Sequence, residues 1–247
     1  MKKRLAGLAA VFSATSAAAL ALTTGAATAA PQPIVGGSVV TNAPSWAAVI
    51  GDQSDGMWCS AALIKSNWVI TAGHCSGATQ VRVGSAKTNS GGTLVSTSKW
   101  VRHPSYNGGY DFGLYKLSTS VSGAPLAMAT STPAVGSSVT EYGYGQTCAP
   151  YGCGGMSPSL KSLGTKLVAD SQCGGINGSW ELCFDTSVTA TDCYGDSGGP
   201  ALVGGKLVGV TSRGASGPGE STCGNTNSIY SDTTAVQSWI NSTIATR

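Results

Sequence analysis

The chain has 247 residues, 41% of them hydrophobic and only 10% charged, with a formal net charge of +3. Lys2, Lys3 and Arg4 precede the first acidic residue, Asp52, and account for that excess; the rest is balanced, with no electrostatic footprint for nucleic acid or an anionic membrane. Two histidines exclude a histidine-rich metal site, and the eight cysteines lack the doubled Cys-x-x-Cys spacing of structural zinc; an even cysteine set fits an oxidising compartment.

In chain order, the positive start is followed by the uncharged, Ala- and Leu-rich stretch Leu5 to Ala30, which includes the small-x-small sequence Ala27-Thr28-Ala29. This order predicts a secretory signal over residues 1–29, and hence an extracellular product. An uncleaved membrane anchor is the alternative, disfavoured because Ser, Thr and Gly dilute the second half. Residues 30–33 then form a very short propeptide before Ile34-Val35-Gly36-Gly37. Two apolar residues and two glycines suit a new terminus whose amine inserts into the protein.

Beyond this point, short apolar and β-branched runs alternate with Gly, Ser, Asn and Pro clusters. Trp68-Val69-Ile70, Val81-Arg82-Val83 and Lys206-Leu207-Val208-Gly209-Val210 are examples, and the reading is all-β. Thr71-Ala72-Gly73-His74-Cys75 puts His74 at a strand end, whereas His103 lies before Pro104 in a polar loop and suits a structural role. Tyr110-Asp111-Phe112-Gly113-Leu114 puts a carboxylate at the edge of a buried strand, where it needs a partner such as a histidine N–H. Near the end, Val236, Trp239, Ile240 and Ile244 recur at helical spacing after a capping Asp232, predicting a helix over about 233–244.

Gly195-Asp196-Ser197-Gly198-Gly199-Pro200 is the most specific string. A serine hydroxyl needs a base to become a nucleophile. Flanking glycines permit a turn that aims successive backbone N–H groups at a developing oxyanion. Taken singly, each motif has a bland reading: a Gly-rich turn, a satisfied histidine, a turn aspartate.

Taken together, in the order His, Asp, Ser, they make the chain resemble the chymotrypsin-fold, trypsin-like serine proteases, closest to their secreted bacterial branch. The resemblance runs from Ile34 to Arg247. It implies two packed antiparallel β-barrels, about 34–122 and 134–231, joined by a Ser/Thr/Pro-rich crossing and followed by the helix. It implies a serine endopeptidase with Ser197 as nucleophile, His74 as base, Asp111 orienting the histidine, and the Gly195 and Ser197 N–H groups as oxyanion hole. After cleavage behind Pro33 by another protease, the Ile34 amine would pair with Asp196. The implied disulfides are Cys59–Cys75, Cys173–Cys183 and Cys193–Cys223. Cys148 and Cys153 remain, a tight loop that the usual family pattern lacks.

The implied specificity pocket comprises Thr191, Asp192, Gly214 and Ser228. Trypsin-like relatives carry a carboxylate six residues before the nucleophile; here that position is Thr191, and the acid follows as Asp192. Cleavage after Arg or Lys is the expectation, with a chymotrypsin- or elastase-like preference as the alternative and Arg213 as a candidate internal partner for Asp192. An inactive protease fold used for binding, or an esterase, are further alternatives. No metal or cofactor is implied, since no Asp or Glu lies between Gly56 and Tyr110 to build an acidic calcium loop. The implied partners are protein or peptide substrates, protein inhibitors and the activating protease, with the mature chain a monomer.

Overall fold

The computed structural model describes residues 34–216 and 221–247; the expected signal and propeptide, residues 1–33, lie outside them. The strands are β1 (Ser38–Val39), β2 (Ala47–Asp52), β3 (Gly56–Lys65), β4 (Trp68–Thr71), β5 (Gln80–Val83), β6 (Thr93–Arg102), β7 (Gly113–Leu117), β8 (Ser138–Gly143), β9 (Lys161–Val168), β10 (Glu181–Phe184), β11 (Pro200–Val203), β12 (Lys206–Gly214) and β13 (Ser228–Asp232). Six of them close an antiparallel barrel in the order β2-β3-β4-β7-β6-β5. The others follow the order β1-β9-β10-β13-β12-β11-β8, and a further β8–β9 pairing closes six of these into a second barrel. Closure leaves few unpaired edges in a chain made almost wholly of short strands.

β2 and β4 are buried along nearly their whole length. Such strands have one face inside a barrel and the other against a neighbour, so they read as continuous apolar runs rather than alternating ones. The largest hydrophobic cluster includes Ile50, Leu63, Trp68, Ile70 and Leu114 of the first barrel, and extends to Leu207, Val210 and Ile240. It therefore joins the barrels and the C-terminal helix in one core. Each fully buried Leu or Ile there contributes roughly 1.5–3 kcal/mol. A second cluster, with Val139, Leu182, Phe184, Val208 and Tyr230, belongs to the second barrel.

Two boundaries differ from expectation. The first barrel begins at Ala47, not Ile34, because the preceding residues join the second barrel: Ser38 pairs with Ser162, and Val35 bridges Thr191. Burial of Ile34, at 1% exposure, accompanies this placement. At the C-terminus, a 3₁₀ turn (Thr233–Val236) precedes α1 (Gln237–Thr246). The Asp232 carboxylate accepts the Thr234 N–H at 2.8 Å, only two residues on, and the first turn winds tightly. No described helix is long and apolar enough to cross a membrane.

All eight cysteines are bonded, as Cys59–Cys75, Cys148–Cys153, Cys173–Cys183 and Cys193–Cys223.

Candidate active site

A cleft of about 1170 Å³ is lined by His74 and Asp111 from the first barrel and by Thr191, Asp192, Ser197 and Ser228 from the second. His74 sits just past the end of β4, in the turn anchored by Cys59–Cys75. Asp111 stands two residues ahead of β7, which pairs with β4, so strand register brings the two side chains together. His74 Nδ1 lies 2.8 Å from Asp111 Oδ2, and the His74 backbone N–H donates to Oδ1 at 2.9 Å. The Ser212 hydroxyl donates to Oδ2 at 2.7 Å. Burial opposes charge on Asp111, but these bonds outweigh it and hold the carboxyl below its usual value. The sulfurs beside His74 belong to the Cys59–Cys75 disulfide and offer no thiolate to a metal.

Ser197 faces the same cleft, and among the described residues no hydrogen bond joins its hydroxyl to His74. Its carbonyl accepts the Ser60 N–H at 2.9 Å, and the Ser60 hydroxyl donates to the Gly195 carbonyl at 2.9 Å. β3 thus clamps the Ser197 turn from the first barrel. The Gly195 and Ser197 N–H groups donate to no acceptor among the described residues. The backbone explains the glycines. Gly195 has φ 95°, and a Cβ there would lie 2.8 Å from Met156. At Gly198, with φ 80°, a Cβ would lie 1.9 Å from the Thr71 hydroxyl oxygen. Neither site admits an L side chain without strain.

Asp196 points inward. Its carboxylate accepts the Gly145 N–H at 2.7 Å and the Cys193 N–H at 2.9 Å, and it packs where Cβ atoms on Gly143 and Gly145 would stand. Tyr144, between those glycines, donates to the Ser85 carbonyl at 2.6 Å and pins the loop. Burial pushes the Asp196 carboxyl up to about 8, despite those two N–H donors.

Thr191, Asp192, Gly214 and Ser228 are all among the residues lining the cleft. The Thr191 hydroxyl is turned back onto the Asp192 carbonyl, at 2.9 Å. Arg213 is engaged elsewhere: its guanidinium pairs with Glu181 through both carboxylate oxygens and donates to the Gly175 carbonyl at 3.2 Å. His103 lies in an aromatic cluster, stacked on Tyr110 at 4.8 Å and edge-on to Trp239, and its burial lowers its pKa.

Ser212, Ser60 and the Glu181–Arg213 pair carry no motif of their own. They act through tertiary neighbours, so only Ser212's place beside Arg213 and Gly214 could have pointed to it.

This two-barrel architecture with a cleft between the halves is the chymotrypsin-like fold. Residues 34–240 match the sequence model of the family described as Trypsin. The chain is 30% identical to trypsin delta of Drosophila melanogaster over 84% of its length and 87% of that protein's. It is 32% identical to trypsin alpha-4 of Lucilia cuprina, over 84% and 86%. The solved structure of neuropsin, a serine protease expressed in the limbic system of mouse brain, superposes with a TM-score of 0.76 at 26% identity, covering 84% of this chain and 98% of that one. The chain belongs to the trypsin family of serine proteases and is a serine endopeptidase. These relatives are animal proteins, and they lend no support to the bacterial branch expected from the sequence.

Proposed function

We propose that the chain is the precursor of a secreted endopeptidase that cleaves protein substrates after Arg or Lys, using Ser197, His74 and Asp111. The observation that carries the triad is the His74–Asp111 pair. With Nδ1 donating to a carboxylate that accepts two further bonds, Nε2 is the basic nitrogen. Ser197 attacks the scissile carbonyl as Nε2 takes its proton, and Asp111 stabilises the imidazolium. The undonated N–H groups of Gly195 and Ser197 receive the oxyanion. His74 then protonates the leaving amine, and water hydrolyses the acyl-enzyme.

Activation follows the burial of Asp196. In the uncleaved chain Ile34 is buried at φ 39°, which costs a β-branched residue about 1–3 kcal/mol. Cleavage behind Pro33 removes the preceding carbonyl and with it that strain. The new ammonium supplies Asp196 with a buried counter-ion and holds the oxyanion turn in place. The signal pattern of residues 1–29 and the four disulfides support secretion.

Asp192 in the lining of the cleft supports the cationic preference, and Arg213, the internal partner considered for it, is engaged by Glu181. The neutral Thr191 favours a second reading, a chymotrypsin-like preference. Arginyl and phenylalanyl amides decide between them with the mature enzyme and its Asp192→Asn variant. A preference for the arginyl amide that falls in the variant supports the first reading. A phenylalanyl preference, with arginyl cleavage indifferent to Asp192, overturns it.

A further inference from the structure

Met156 has no role in the chemistry described so far, yet it packs on the turn that carries Ser197. Beyond the signal pattern the sequence holds three methionines, Met57, Met128 and Met156. Met128 packs against the main core, whereas Met57 and Met156 line the cleft. Met57 and Met156 also line a second pocket of about 400 Å³, so small solutes have two routes to these thioethers.

Met156 is half-buried, and its side chain meets Gly195 directly. A Cβ on Gly195 would lie 2.8 Å from Met156 Cγ and 3.3 Å from Met156 Cε, with the Gly145 Cα at 3.0 Å. The sulfur, bonded to both of those carbons, therefore rests at the turn. Its backbone is held close by: the Ser157 N–H donates to the Tyr144 and Gly145 carbonyls at 2.8 and 3.1 Å. The turn is fixed as well, because Asp196 accepts the Gly145 and Cys193 N–H groups. A thioether suits this position. It is apolar, fills irregular space and accepts hydrogen bonds only weakly, so it leaves the Gly195 and Ser197 N–H groups without a competitor. A sulfoxide is polar, bulkier and a far better acceptor.

We propose that Met156 is an oxidation site that controls turnover, its sulfoxide oxygen competing for the free N–H donors of the Gly195 turn and so disabling the oxyanion hole. This rests on the reading of those N–H groups as the oxyanion hole. The oxidant is hydrogen peroxide. The sulfur lends an electron pair to one peroxide oxygen, the O–O bond breaks and an S–O bond forms. The other oxygen takes up the transferred proton and leaves as water. The sulfur is oxidised, the peroxide is reduced, and methionine sulfoxide reductases reverse the change.

The test exposes the mature enzyme to hydrogen peroxide and follows each methionine by peptide mass mapping. Activity is read on whichever of the arginyl and phenylalanyl amides it cleaves faster, so the result does not depend on the Arg/Lys reading. Enzyme carrying the Met156 sulfoxide should lose at least about tenfold in kcat, towards the roughly 10²–10³ of a lost oxyanion donor, with KM little changed. Its affinity for a peptide boronic acid, whose adduct with Ser197 places an oxygen where the oxyanion forms, should fall in parallel. Met156→Leu should keep its own starting activity through the same exposure, while Met57→Leu is inactivated like wild type. If Met156→Leu does not fold, the wild-type time course decides, since activity must fall in step with oxidation of Met156 and not of Met57. Full Met156 sulfoxide with unchanged kcat, inactivation in step with Met57, or a kcat loss with undiminished boronic acid affinity overturns the role of Met156 alone. Unoxidised enzyme that binds the boronic acid no more tightly than the matching amide overturns the oxyanion reading as well.

Discussion

Replacing Asp111 by asparagine tests the core of the proposed mechanism with almost no change of shape. The carboxylate accepts three bonds, from the His74 backbone N–H, from His74 Nδ1 and from the Ser212 hydroxyl. Asparagine has one acceptor oxygen and one donor NH₂. If the amide oxygen stays on the His74 N–H, the NH₂ faces Nδ1 and the histidine holds its proton on Nε2, where it is no base. If the amide flips, the NH₂ opposes the His74 N–H. Either way a charge-assisted bond worth about 1.5–3 kcal/mol is lost, and restoring the working tautomer sacrifices a second of similar size. The sum, about 3–6 kcal/mol, corresponds to a fall of roughly 10²–10⁴ in kcat. KM should change little, because the loss is confined to the transition state. The assay is amide hydrolysis at fixed pH, normalised to correctly folded protein. An Asp111→Asn enzyme within threefold of wild type refutes the reasoning. The depressed Asp111 pKa carries a pH consequence for stability. Its contribution is fully present above the ordinary carboxylate value and is lost as pH falls through the lower folded one, so wild type should lose more stability than Asp111→Asn in strongly acid urea titrations.

Gly198→Ala forces a Cβ to within 1.9 Å of the Thr71 hydroxyl oxygen at a φ of 80°; strain and overpacking together should cost roughly 2–5 kcal/mol, read as a lowered midpoint in urea. The Cys193–Cys223 bridge spans 30 residues and Cys148–Cys153 only 5. On chain entropy alone their loss should cost about 3.6 and about 2 kcal/mol respectively, and only the former should also damage turnover, because Cys193 lines the cleft beside Asp192. The raised Asp196 pKa makes the uncleaved chain lose stability as pH climbs from the ordinary carboxylate value towards about 8. The chain starting at Ile34 should lose far less over that range, and should lose its amine contribution only as pH rises through an α-amino value lifted above about 7.7–8.0. Urea unfolding of both forms across pH, with activity measured in parallel, checks this; equal activity from a precursor that retains Ala30 to Pro33 would contradict it.

How much of this was legible beforehand depends on whether a residue acts through its chain neighbours or across space. The glycines around Ser197, the strand ahead of His74 and the acid entering β7 are local arrangements, so composition and spacing carried them into the sequence. The turn needs positive φ at Gly195 and Gly198, and no other residue type supplies that cheaply. The β-strand class was legible for the same reason, since short β-branched runs punctuated by Gly and Pro fold one way. Tertiary structure alone decided the rest. Ile34 to Val39 are apolar and glycine-rich in either barrel; only strand pairing assigns them to the second, where Val35 bridges Thr191 and β1 joins β9. Arg213 and Glu181 stand 32 residues apart in the chain and 101 separate Asp111 from Ser212, so no local pattern announces either contact. Glu141 looks in sequence like one more charge on a strand. The closure of the barrel removes water from it, and that burial first of all holds its carboxyl well above the ordinary carboxylate value.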